Sequence, residues 1–148
     1  MERRYSLPAI LAGIVIVLAL AGVSLAGGRP LDATLSGAAE VPGPGDPDGT
    51  GSAHVTLNQG LGEVCWRIHV TNLTLPAAAA HIHAAVAGVA GPIVVPLSPP
   101  DATGNSSGCA TGVSQDLIKA IRHHPANYYV NVHTTDFPAG AARGQLSR

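Results

Sequence analysis

Along four stretches of the chain, apolar and polar residues alternate with a period of two, as strands do when one face is in a core. From Gly51 to Asn58, Ala53, Val55 and Leu57 share one face, and Ser52, His54 and Thr56 share the other. From Glu63 to Leu73, Val64, Trp66, Ile68 and Val70 oppose Cys65, Arg67, His69 and Thr71. Gln59-Gly60-Leu61-Gly62 between the two predicts an antiparallel hairpin. Ala78 to Val86 sets Ala80, Ile82 and Ala84 against His81, His83 and Ala85, and Asn127 to Thr135 sets Tyr128, Val130 and Val132 against Tyr129, Asn131 and His133. Leu31–Leu35, the β-branched run Pro92–Leu97, and Ala142–Leu146, which can close the sheet, are shorter predicted strands. Pro42 to Gly49 combines missing backbone donors with permissive glycines, which predicts a surface loop. One helix is expected, Gln115 to His124, with Ser114 as its cap, Leu117, Ile118 and Ile121 as its apolar stripe and Pro125 as its stop. Seven short strands separated by turn residues predict an all-β fold, an antiparallel Greek-key-like sandwich or barrel with one short helix.

The amino terminus reads differently. Arg3 and Arg4 precede an uncharged apolar run from Ala9 to Val23, which is followed by Ser24-Leu25-Ala26, a small-residue pattern that suits signal peptidase. Residues 1–26 are therefore expected to be a signal peptide and residues 27–148 a single domain. The alternative is an uncleaved anchor, since Leu7 to Ala26 is long enough to span a bilayer. The expected location is secreted or cell envelope, with membrane association only if the leader is retained.

Composition narrows the field. The 148 residues include 18 Gly and 12 Pro, too many turn formers for a helical bundle. A net charge of −1, a single lysine, Lys119, and the absence of an aromatic-basic stripe leave phosphate neutralisation and base stacking without the residues they need, so nucleic acid is not an expected partner. No phosphate loop, Gly-x-Ser-x-Gly elbow or His-Glu-x-x-His helix is present, which removes support for nucleotide and hydrolase chemistry. Cys65 and Cys109, 44 positions apart, are the only cysteines. An even count behind a secretory leader predicts a disulfide, because no Cys-x-x-Cys spacing favours redox chemistry.

Metal chemistry has the best candidates. His81 and His83 lie two apart on one strand, so they share a face with origins about 6.7 Å apart and can reach one ion. His133 occupies the matching non-core face of a later strand and supplies a third nitrogen if the two strands are neighbours. Imidazole clusters suit copper and zinc. His54 and His69 alternate onto polar faces and are expected to be solvated, with His69 the first choice among these for a fourth ligand. His123-His124 suits a helix carboxyl end, and Asp101, Asp116 and Asp136 suit turns and caps.

Ala80-His81-Ile82-His83, Gly88 through Leu97, Tyr128 through Thr134 and Pro138 through Leu146 together resemble the CHRD (chordin-type) domain over about Leu31 to Leu146. Ala84-Ala85 and Ala141 depart from residues common in that family, a glycine and a glutamate respectively; neither departure touches the three histidines. The resemblance implies an extracellular, mostly β module with no established enzymatic activity, found beside cysteine-rich repeats in animal chordins and alone in exported bacterial proteins. A fainter resemblance is to copper-zinc superoxide dismutases, through the order His81, His83, His133, Arg143. That likeness implies a copper-dependent oxidoreductase in which Arg143 attracts an anion. The alternative role for Arg143 is closing the sheet edge through hydrogen bonds to loop carbonyls. Gly88 to Leu97 contains neither the histidine nor the aspartate a zinc loop needs. The expected function is thus a secreted binding module holding copper or zinc at His81, His83 and His133, with an extracellular protein partner that the sequence does not identify; the dismutase-like oxidoreductase is the alternative.

Overall fold

The structure, a computed structural model, describes residues 30–148; the expected signal peptide lies outside the described residues. Eight strands form one antiparallel sheet: β1 Leu31–Ser36, β2 Thr50–Asn58, β3 Glu63–Thr71, β4 Ala79–Ala84, β5 Ile93–Leu97, β6 Asn105–Ala110, β7 Tyr128–His133 and β8 Ala142–Gln145. Their spatial order is β5-β4-β7-β8-β1-β2-β3-β6. The ends of this order approach one another. Ser106 Oγ on β6 donates to the Ser98 carbonyl just past β5, and the Ala77 amide donates to the Pro100 carbonyl, so the sheet curls into a nearly closed barrel.

Alternation decides which residues fill the barrel. Ala53, Val55, Leu57, Val64, Trp66, Ile68, Val70, Ala80, Ile82, Val130 and Val132 all enter one core, as their parity predicts. Helix α1, Gln115–His123, is capped by the Ser114 side chain, which accepts from the Leu117 amide. Its apolar stripe sends Ile118 and Ile121 into the same core. Among the described residues no helix is long and apolar enough to cross a membrane.

The sequence reading missed β6. Asn105-Ser106-Ser107-Gly108-Cys109-Ala110 has no branched apolar residue and no fully buried side chain. It is a strand because it pairs with β3 from Val64↔Ala110 to His69↔Asn105. That register sets Cys65 directly opposite Cys109, and the two form a disulfide with Cα atoms 4.0 Å apart.

β8 joins β7 to β1 in the middle of the sheet, and it meets β1 at close range. A Cβ at Gly144 would stand 2.1 Å from the Thr34 carbonyl oxygen, a backbone atom that cannot turn away. Gly144→Ala is therefore expected to push β8 off β1 and to cost about 2 kcal/mol, as overpacking does. Urea denaturation of the variant measures this, and an unchanged midpoint would contradict it.

Candidate functional site

β4 and β7 are paired neighbours in register His81↔Asn131 and His83↔Tyr129, which meets the adjacency condition for the three histidines. On their non-core face the rows run His81, Asn131, Arg143 and His83, Tyr129, Gln145 across β4, β7 and β8. This face is not a solvated exterior. The segment between β4 and β5 and the segments around Glu40 and Pro138 fold over it, leaving His83, Tyr129, Asn131 and Arg143 between 1% and 8% exposed. The barrel thus carries a second, polar interior outside its sheet.

His83 is buried there and His81 and His133 are half-buried, and the ligating nitrogens of the three all lie within 4.8 Å of one another. His81 Nδ1 and His133 Nε2 are 3.3 Å apart. That separation equals the roughly 3.3 Å edge of a tetrahedron whose metal–nitrogen bonds are 2.0–2.1 Å. The outer contacts fix two of the three tautomers. His83 Nδ1–H donates to the Gly91 carbonyl at 2.8 Å, and His133 Nδ1–H donates to the Pro138 carbonyl at 3.0 Å. Each Nε2 therefore presents a lone pair to the cluster, the arrangement that metal-ligating histidines use. His83 Nε2 is buried without any hydrogen-bond partner. Such an orphan is costly unless something fills it. Without an ion, His81 Nδ1–H can donate to His133 Nε2; a tautomer change in His81 frees that nitrogen with no net proton release.

Burial favours the neutral form of all three imidazoles. All three pKa values are lowered, in each case first by burial, then by the neighbouring histidines for His81, by Arg143 for His83 and by His83 for His133. The carbonyl bonds from Gly91 and Pro138 oppose this for His83 and His133, but burial is the larger effect. Neutral imidazole is the form that binds metal.

Behind His83 stands a stack. The Tyr129 ring lies 4.8 Å from the His83 ring and 7° from parallel, and Arg143 Cζ sits 3.5 Å from the Tyr129 centroid. The Tyr129 hydroxyl accepts from the Gly91 amide, so one glycine holds both rings. Arg143 donates to the carbonyls of Val86 and Val89 and to Gln145 Oε1. Three of its N–H donors thus tie it to the covering segment and to Gln145, and Arg143 is 1% exposed. Gln145 Nε2 adds bonds to the carbonyls of Ala85 and Ala126.

A buried carboxyl completes the polar interior. Asn131 Nδ2 donates to both oxygens of Glu40, at 2.9 and 3.0 Å. Gly140, at φ 150°, makes the room: a Cβ there would fall 2.4 Å from Glu40 Oε2. Burial raises the Glu40 pKa to about 7 against the opposing pull of Arg143 and the bonds from Val41 and Asn131.

The remaining expectations resolve simply. His54 pairs with Asp32 across the β1–β2 register, and His69, on β3, bonds Asn105 at 3.0 Å and lies outside the group of three. A surface groove that His54, Arg67 and His69 help line shares no residue with the trio. Glu63, Cys65 and Cys109 also converge, but both sulfurs are spent in the disulfide. Asp101 accepts from the amides of Thr103 and Asn105 as a turn residue, and Asp136 bonds Thr74. Sequence reasoning overlooked Glu40, Gly91 and Pro138, the first an acid in a Pro/Gly-rich loop and the other two acting through backbone carbonyls. Tyr129 and Asn131 were legible as neighbours of His133 by parity alone.

Compared with known proteins, the chain matches the family model described as CHRD domain over residues 31–146. No curated protein and no solved structure matches it.

Proposed function

The chain belongs to the CHRD domain family, and we propose that this member is an exported binding module that holds one copper or zinc ion at His81, His83 and His133. The observation that carries the reading is the orphaned Nε2 of buried His83, aimed into a cluster whose other two imidazoles stand within 4.8 Å. Carbonyls fix the tautomers of His83 and His133, and His81 reaches the same point from the adjacent row. Three nitrogens leave a further coordination position open, which suits reversible binding. The disulfide fits a secreted protein and so supports an oxidising compartment. Dismutase-like turnover is the less favoured reading, since Arg143 spends three of its N–H donors on the Val86 and Val89 carbonyls and Gln145 and, at 1% exposure, is not open to an anion arriving from solvent.

Calorimetric titration tests the site. His81→Gln, His83→Gln and His133→Gln are each expected to weaken copper or zinc binding at least about tenfold, and His54→Gln to leave it unchanged. Lowering the pH from 7.5 to 5 is expected to release the ion, because the imidazoles take up protons and lose their lone pairs. Absence of binding by the unaltered chain, or equal damage from His54→Gln, would refute the site.

A further inference from the structure

Charge, more than donor type, separates the ions that three imidazoles can hold. None of these donors is anionic: among the described residues no carboxylate or thiolate joins the group of His81, His83 and His133. A divalent ion seated there would keep its full double charge. Behind the site lies a permanent cation. β7 runs between β4 and β8, so Tyr129 separates His83 on one side from Arg143 on the other, with His83 stacked at 4.8 Å and Arg143 Cζ at 3.5 Å from the Tyr129 ring. The intervening space is dry, with Tyr129 2% and Arg143 1% exposed. In such a medium charges interact far more strongly than in water. Nothing fully cancels the guanidinium. Its donors go to neutral carbonyls and an amide, and Glu40, the acid that feels it, makes no ion pair with it and is held by Asn131 instead.

Resting on the metal reading above, we propose that the site is selective for monovalent copper, Cu(I), over divalent copper and zinc, and that Arg143, acting across Tyr129, is the residue that sets this preference. A monocation meets half the repulsion a dication does at the same place. Three converging neutral nitrogens also satisfy Cu(I), which needs no fourth ligand, whereas a divalent ion in the same site would rely on added water or anion. Arg143 touches no ion; it determines which charge state is tolerated.

The test uses the full-length chain, purified without thiol reductant to keep the disulfide. Cu(I), supplied anaerobically as its acetonitrile complex, Cu(II) and Zn(II) are each titrated against a competing chelator. Cu(I) is expected to bind at least about tenfold more tightly than either divalent ion. Arg143→Gln removes the charge and keeps an amide donor; it is expected to narrow the Cu(I)-to-Cu(II) affinity ratio at least about fivefold, while Arg143→Lys, which keeps the charge, holds the ratio within about twofold. A purely structural arginine would weaken all three ions alike and leave the ratio where it was. If both variants fail to fold, the preference of the unaltered chain decides the Cu(I) assignment. Equal or tighter binding of Cu(II) or Zn(II) by that chain overturns the Cu(I) assignment and leaves the metal site standing. An unchanged ratio in folded Arg143→Gln overturns the part given to Arg143. Binding of none of the three ions overturns this inference together with the reading beneath it.

Discussion

Replacing Cys65 and Cys109 together by serine is expected to destabilise the domain by about 4 kcal/mol, from the chain entropy released when a loop of this length opens in the unfolded state. The sequence separation is 44 residues, and the closed loop contains β4 and β5 with His81 and His83. Small domains have only about 5–15 kcal/mol in total, so the loss removes a large share of the stability. β6 should suffer first. It has no fully buried side chain, its named pairing is with β3 alone, and the disulfide joins those two strands at Cys65↔Cys109. Urea denaturation of the double variant beside the unaltered chain measures the difference, and amide hydrogen exchange locates it. A loss under about 1 kcal/mol, or β6 amides as protected as before, would show that pairing alone holds the strand. Alkylation without reductant checks the premise, since two labelled cysteines would mean that no bridge forms.

A second large effect is expected from Glu40→Gln, and its sign depends on pH. The carboxyl is raised by burial from 4.5 to about 7 in the folded chain. A carboxyl with a raised folded pKa contributes stability that is complete below its unfolded value near 4.5 and is lost as pH climbs through about 7. By about pH 8.5 the loss is on the order of 3 kcal/mol. Glutamine has the same shape, stays neutral and still offers an oxygen to Asn131 Nδ2. The variant is therefore expected to match the unaltered chain near pH 4.5 and to exceed it by a margin that opens between pH 4.5 and about 7 and then levels off. The histidines act in the opposite sense. His81, His83 and His133 have lowered pKa values, so their contribution is present above about 6.5 and is lost as the medium acidifies. Both proteins keep that acid limb, and the difference between their stability curves isolates Glu40. Urea midpoints from pH 4.5 to 8.5 supply the curves. Parallel curves across the range would mean that Glu40 ionises without penalty.

Alternation by itself determined most of this architecture. The period of two placed Val55, Val64, Trp66, Ile68, Ile82, Val130 and Val132 in one core, and it put His81, His83 and His133 together on the opposite face. The helix was equally legible because a cap, an apolar stripe and a proline stop are all local signals. The resemblance of the chain to the CHRD family was carried by short motifs and agrees with the family match. Tertiary structure decided everything that depends on what lies across from a residue. β6 became a strand through pairing with β3, because its small polar residues carry no periodic signal. Strand order, which no single-strand pattern encodes, put β7 beside β4 and turned three scattered histidines into neighbours. The same order set Arg143 and Tyr129 behind His83, and covering segments turned an apparently solvated face into a buried one. The groups that orient the site, the carbonyls of Gly91 and Pro138, belong to the backbone and are common to every residue type, so only the fold could single them out.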